Sequence, residues 1–276
     1  MSIDINVSNN IATIELDVPP VNAFDSSQWF DLSKSIDELS FSNDARVIVI
    51  RAQGKGFCAG VDIKELQADS SKIHAVNDGC WKVARAIHVC NLPVISACHG
   101  FVLGGGILIA GASDIVLATE DAFFGLPEID RGALGGGAHL SRLFPLQKVR
   151  KMMLTGEPIS ADEAYRLGSI ESLHSNIDEL HEAANEIAKS IAEKSPIAVN
   201  LAKKALNQIE ASDVDEAYKS EQNFTIELYQ SSDSQEARDA FVEKRDTDFE
   251  VLPLYSFFYH QRATAVHWRH LSSRIP

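Results

Sequence analysis

Between Ala86 and Ser113 the chain carries no Asp, Glu, Lys or Arg. A charge-free stretch of that length belongs either in a bilayer or inside a globular core. Its punctuation favours the core. Pro93 and the Gly104–Gly106 run interrupt any single helix, and His88, Asn91 and His99 add polar groups. VISACHG is a short β-rich run ending in glycine, and GGGILIAGAS reads as a helix entered through a glycine turn. The expectation is a buried strand–turn–helix and no membrane span.

The segments on either side extend this pattern. Residues 3–7 and 11–16 alternate around Asn9-Asn10, which reads as a β-hairpin. Asp25 is placed to cap a helix running to about Leu39, with Trp29, Leu32 and Ile36 at helical spacing. RVIVIRA (46–52) is a buried strand type, and a helix is expected over 73–90 and a strand over 115–118. Residues 121–145 read as irregular and glycine-rich. From 146 to about 246 the pattern is helical, and S-x-x-E at Ser160–Glu163 spells a capping box. The fold class is therefore α/β, a strand-and-helix core followed by a helical C-terminal region. Periodicity does not separate a doubly wound sheet from a β-superhelix.

Charge narrows the partners. Lys+Arg 25 against Asp+Glu 39 gives a net charge of −14, which argues against nucleic acid or an anionic membrane, whose phosphates need Lys and Arg. Cys58, Cys80, Cys90 and Cys98 form no C-x-x-C pair, so no metal site is expected and reduced thiols in a cytoplasmic protein are. MSIDINVSNNIATIELD has no basic segment followed by an apolar run, so no signal peptide is expected. Residues 251–276 differ from the rest: no acidic residue, three Arg, three His and five aromatics. So many aromatics suggest an extension packed on a neighbouring subunit.

Two glycine loops are the first chemical feature, Gly54–Gly60 and Gly100–Gly106. Neither spells a P-loop or a dinucleotide-binding fingerprint. Both run from a glycine turn into a helix, where backbone N–H groups lack intrahelical acceptors and the helix dipole is positive. Two such turns facing each other would aim two donors at one carbonyl oxygen, an oxyanion hole. Glu128 and Asp130 follow in a glycine-rich segment, where a carboxylate beside that hole would act as a general base or acid. Glu128 could equally cap a helix or pair with Arg131 or Arg142. His139 is a weaker acid candidate.

Several motifs in order resemble the crotonase (enoyl-CoA hydratase/isomerase) superfamily: PPVNA at 19–23, FCAGVDIKEL, HGFVLGGG, SDIVLA, FGLPEI, LTGEPISADEAYRLG and EARDAFVEKR ending at 245. The resemblance implies a spiral of β-β-α units over 1–195, a helical trimerisation region over 196–250, and a trimer or dimer of trimers. It implies an acyl-CoA substrate, with coenzyme A as part of that substrate and no separate cofactor. By motif position the oxyanion donors fall on Val61 and Gly105. Ala59, Gly60, Asp62, Ile63 and Lys64 would line the CoA channel, with Lys64 available to a phosphate, and Ala23 would sit near the adenine end.

One departure carries information. The hydratases of this family use two glutamates. The second is present as Glu128, but the first position is Leu108, which neither ionises nor donates a hydrogen bond. PPVNAFDSSQWFDL, GLPEIDRGALGGGAHLSRL and EQNFTIEL resemble more closely the crotonase-like hydrolases of bacterial steroid breakdown, which open the remaining ring of a bicyclic diketone carried as a CoA thioester. There Leu108 would face an apolar substrate, with Asp130 a candidate second acid. The alternatives are an enoyl-CoA hydratase/isomerase using Glu128 alone and a silent CoA-binding paralogue.

Overall fold

The structure is a computed structural model and describes residues 3–210 and 214–247. The first half contains β1 (Ile3–Ser8), β2 (Ile11–Leu16), β3 (Ala23–Phe24), α1 (Ser26–Ser40), β4 (Val47–Ala52), β5 (Gly60–Val61), α2 (Ile63–Ala68), α3 (Ile73–Val89), β6 (Val94–Cys98), β7 (Phe101–Leu103) and α4 (Gly105–Ala112). Then come β8 (Ile115–Thr119), β9 (Phe123–Gly125), a 3₁₀ turn (Pro127–Arg131), α5 (Gly137–Leu143), α6 (Leu146–Thr155), β10 (Ile159–Ser160), α7 (Ala161–Arg166) and β11 (Leu173–His174). Four helices finish the described chain: α8 (Ile177–Ala192), α9 (Pro196–Ile209), α10 (Val214–Leu228) and α11 (Ser232–Glu243).

Six strands form the main sheet in the order β1-β2-β4-β6-β8-β11. The hairpin pair β1–β2 is antiparallel, and the other pairings are parallel. Asn9 and Asn10 both have positive φ at the hairpin tip, a conformation Asn tolerates better than most residues. The central strands are covered on both faces, which is why they read as unbroken apolar runs. Ile48 and Ile50 of β4 face one core with Trp29, Ile36 and Val83. Val47 and Val49 face a second core, against Leu180, Ala184, Ala188 and Ala192 of α8. Those four residues recur every fourth position and make one helix stripe.

The main-sheet strands hand the chain to a short second strand and then to helix: β2–β3–α1, β4–β5–α2, β6–β7–α4 and β8–β9–α5. The short strands pair among themselves, β3 with β5 and β7 with β9. This is the spiral of β-β-α units, and it settles the choice against a doubly wound sheet. The charge-free stretch is the end of α3, all of β6 and β7, and α4, whose eight residues are all buried. Among the described residues no helix is long and apolar enough to cross a membrane.

Two local expectations are corrected. Residues 121–145 hold β9, the 3₁₀ turn and α5 rather than irregular chain. Their glycines dilute any periodic signal, and α5 is entered through Gly136 in the left-handed region. The capping box at Ser160 is only half made. Ser160 Oγ accepts the Glu163 N–H at 3.2 Å, but the Glu163 carboxylate is drawn to Lys148. The complete reciprocal box sits on α1, between Asp25 and Gln28. The aromatic and basic segment 251–276 lies outside the described residues.

Helices α1 and α3 meet at a glycine. A Cβ added at Gly79 would lie 2.7 Å from Trp29 Cβ. Ala is the better helix former by up to about 1 kcal/mol, but overpacking costs about 1–3 kcal/mol. Cβ is the least movable part of the Trp29 side chain, so overpacking wins. Gly79→Ala is expected to lower the urea midpoint of unfolding, and an unchanged or raised midpoint would refute this packing account.

Candidate active site

The two glycine loops are bonded to each other. Phe57 N–H donates to His99 O (2.8 Å), Cys58 N–H to Phe101 O (3.3 Å) and Leu103 N–H to Cys58 O (2.9 Å). At the contact there is no room for side chains. A Cβ on Gly60 would lie 2.7 Å from Gly105 N, and one on Gly106 would lie 2.6 Å from Cys58 O. Gly60 and Gly104 also have positive φ, at 93° and 54°. Gly105 is the first residue of α4, so its N–H has no acceptor within the helix. The Trp29 ring lies directly behind it, 2.4 Å from where a Cβ would stand. On the facing loop, Asp62 N–H donates to Phe24 O at 2.9 Å. Amides alternate in direction along a strand, so the Val61 N–H points away from β3.

Glu128 stands on the 3₁₀ turn after β9. Its Oε1 lies 2.6 Å from the place a Cβ would take on Gly104, and its Oε2 is buried. The carboxylate therefore rests against the turn that starts α4. Its charge reaches Cys80 and Tyr229. Burial is the main cause that pushes the Cys80 thiol and the Tyr229 phenol up, and Glu128 adds to both.

These groups share one cavity of about 570 Å³. Ala23, Ala59, Val61, Asp62, Ile63, Lys64, Gly105, Leu108 and Glu128 all line it. Gly60 does not reach the wall and acts from behind, by its close approach to Gly105. Among the described residues Asp25, Asp62 and Glu128 are the acidic ones on the wall. The first two are engaged as helix caps, Asp25 with Gln28 N–H at 2.8 Å and Asp62 with Lys64 N–H at 3.0 Å. Leu108 is 3% exposed and gives the α4 side of the wall an apolar surface.

Asp130 is not brought to this cavity, a correction to its candidacy as second acid. Its carboxylate lies against Gly156, 2.4 Å from where a Cβ would stand, and the residue is exposed. A 3₁₀ helix has three residues per turn, so positions 128 and 131 eclipse while 130 faces elsewhere. His139 is likewise set aside. It is 2% exposed, its ring meets Tyr218 edge-on at 4.9 Å, and burial pushes its pKa down to about 3. Among the described residues, the alternative ion pairs of Glu128 with Arg131 and Arg142 are not made. Arg142 pairs with Glu210, and Arg131 donates to Pro127 O.

Sequence reasoning missed several wall residues. Cys80 comes from α3, Arg131 from the 3₁₀ turn, Tyr218 and Thr225 from α10, Tyr229 from the turn after it, and Phe241 from α11. The i, i+3 spacing of Glu128 and Arg131 would have found Arg131 had the turn been foreseen. Nothing local marks the others: Cys80 reaches the cavity from α3, and the rest do so only through docking of the C-terminal helices. Thr225 Oγ1 donates to Leu134 O, and Ser234 Oγ donates to Gly132 O. Arg238 is buried and stacks its guanidinium 4.1 Å from the Tyr229 ring centroid. Among the described residues no group of three or more His, Cys, Asp or Glu is placed to hold a metal ion.

The enoyl-CoA hydratase/isomerase family pattern matches residues 6–251. The chain belongs to that family. A (7aS)-7a-methyl-1,5-dioxo-2,3,5,6,7,7a-hexahydro-1H-indene-carboxyl-CoA hydrolase of Mycobacterium tuberculosis is 43% identical over 236 residues, covering 85% of this chain and 95% of that protein. The Rhodococcus jostii hydrolase of the same name is 40% identical, with 85% and 92% covered. A short-chain-enoyl-CoA hydratase of Clostridium acetobutylicum is 34% identical over the same shares. Among solved structures, a methylmalonyl-CoA decarboxylase is 27% identical with a TM-score of 0.78, covering 91% of this chain and 99% of that one. An enoyl-CoA hydratase of Mycobacterium avium subsp. paratuberculosis shares the fold at a TM-score of 0.80 and 23% identity, with the same coverage.

The burial of His139 has a measurable consequence. Its folded pKa is depressed, so between about pH 6.5 and 3 the unfolded chain binds the extra proton. The stability due to neutral His139 is complete above the unfolded pKa and falls with pH below it, by at most about 1.4 kcal/mol per pH unit. His139→Gln is expected to flatten the acid limb of a stability-versus-pH curve. An acid limb of unchanged slope would show that His139 is not buried in its neutral form.

Proposed function

We propose that this enzyme opens a ring of a bicyclic diketone carried as a CoA thioester, by hydrolytic carbon–carbon cleavage in steroid catabolism. The observation that carries the reading is the Glu128 carboxylate resting against the glycine turn of α4 while Leu108 presents an apolar surface to the same cavity. The two hydrolases at 43% and 40% identity support it.

The amides of Val61 and Gly105 hold an oxyanion, and Ala59, Asp62, Ile63 and Lys64 with Ala23 bind the CoA portion. Glu128 takes a proton from water as its oxygen attacks the ring ketone carbon. The carbon–carbon bond then breaks, its electron pair leaves as an enolate, and the acid returns the proton to carbon. Both charged states are oxyanions, which preorganised amide donors stabilise without reorganisation. Hydration by this family's two-glutamate arrangement is disfavoured, because an alkyl side chain occupies one acid position. A missing general acid or base typically costs about 10²–10⁴ in rate. A hydratase or isomerase working with Glu128 alone is the second reading, favoured by the hydratase relative at 34% identity.

The assembly is part of the proposal. A trimer or dimer of trimers, with 196–250 in the contact, is supported by Ile197, Leu201 and Leu206 of α9, which are 72%, 58% and 58% exposed. Sedimentation at a monomer mass would overturn it. We assign the protein to the cytoplasm, supported by four cysteines that are free and buried as small hydrophobes.

The deciding experiment offers the full-length protein a bicyclic diketone-CoA and reads the product by mass. Gain of one water with a new carboxylate is expected. An unchanged mass, or rapid loss of the enoyl absorbance of crotonyl-CoA, would refute ring-opening hydrolysis. Glu128→Gln is expected to keep CoA binding and lose at least about 10²-fold in kcat. Near-normal turnover in that variant would remove Glu128 as the base.

A further inference from the structure

Arg131 sits one 3₁₀ turn after Glu128, on the same face, and lines the same cavity. It is half-buried. Its Nη1 donates to Pro127 O at 2.9 Å, and its Cζ lies 4.6 Å from the centroid of the Phe241 ring on α11. The first contact uses one of five donors, and the second orients the guanidinium plane without neutralising it. No ion pair involves Arg131 among the described residues. Among the described residues Lys64 is the other basic side chain on the wall, and it belongs to the segment assigned to CoA.

We propose that Arg131 is a carboxylate-binding residue that receives the acid group created by ring opening. This rests on the hydrolase reading above and adds the fate of its product. In that reaction the water oxygen bonds to the ketone carbon and the adjacent carbon–carbon bond breaks. The released carbon takes one proton, and the ketone carbon leaves as a carboxylate with one further proton lost to solvent. The reaction thus adds a negative charge to the acyl group, beside the existing charge of Glu128. Two carboxylates in a cavity with apolar walls repel strongly. A guanidinium on the same face of the turn accepts the new one through paired charge-assisted hydrogen bonds. Hydration of an enoyl thioester creates no such charge, so it gives Arg131 no comparable role. Phe241 is the positioning residue: it holds the planar fork in place, and it ties α11 to the site.

The test is a binding measurement on the full chain that needs no turnover. Calorimetry compares glutaryl-CoA with pentanoyl-CoA, which have equal carbon number but differ by the terminal carboxylate, and with free CoA. The wild-type protein is expected to bind glutaryl-CoA about tenfold tighter than pentanoyl-CoA, equivalent to about 1.4 kcal/mol. Arg131→Gln should level the two while leaving the Kd for free CoA unchanged, which also reports that the variant is folded. Arg131→Lys should retain part of the preference, since it keeps the charge but not the fork. Equal binding in the wild type, or a preference that survives Arg131→Gln, overturns the inference. So does an equal loss for all three ligands, which would make Arg131 a reader of CoA phosphates. If the Arg131-dependent preference is found in a protein that opens no diketone ring, the carboxylate site stands and the hydrolase reading falls.

Discussion

The candidate active site rests on a contact between two stretches of backbone with nothing between them. Gly60 faces Gly105 N, and Gly106 faces Cys58 O, each at a distance no Cβ allows. Neighbouring side chains are normally several ångströms thick, so two loops cannot bring their amides to one point unless both are stripped to glycine there. The rungs Phe57–His99, Cys58–Phe101 and Leu103–Cys58 hold the loops in register. The Trp29 ring supports Gly105 from behind, and Gly79 gives Trp29 its space. A core tryptophan, a helix-crossing glycine and the start of α4 are therefore one mechanical unit. Such rigidity is what the proposed backbone donors need in order to act without reorganising during reaction.

Charge around that unit is distributed by helical geometry. The 3₁₀ turn sends Glu128 and Arg131 toward the cavity and Asp130 toward Gly156. An α-helical turn, with 3.6 residues per turn, would not eclipse them. Carboxylates at Asp25 and Asp62 are occupied by helix N-termini, where the dipole favours a negative charge. Among the described residues the cavity thus carries three acids, of which only Glu128 rests on the glycine turn, with Leu108 supplying alkyl surface on the α4 side. That asymmetry suits a bulky apolar acyl group better than a water held between two acids.

The C-terminal helices complete the cavity, and polar contacts in the interior dock them. Lys203 of α9 bonds Asp114 at 2.7 Å and the carbonyls of Ile87 and Leu92. Asn200 and Asn207 reach Asn91 O and His88 O at the end of α3. Such groups are costly to bury unless paired, so they select one docking geometry over others. Through it, Tyr218, Thr225 and Tyr229 come to a site whose chemistry lies more than eighty residues earlier in the chain.

Within single elements the sequence was sufficient. The hairpin around Asn9-Asn10, the unbroken apolar run of β4 and the cap at Asp25 depend on neighbours a few positions away, and those neighbours are written in order. The chain also showed a buried strand–turn–helix without charge, two glycine turns and a carboxylate at 128. The motif resemblance pointed to the spiral, which periodicity left open; tertiary structure alone decided that Gly60 meets Gly105, that Arg131 and not Asp130 joins Glu128, and that His139 is a neutral core residue. No sequence repeat announces the spiral, because each β-β-α unit packs against different partners. Periodicity encodes which face of an element is buried; topology determines what that face is buried against, and the site consists almost entirely of such meetings.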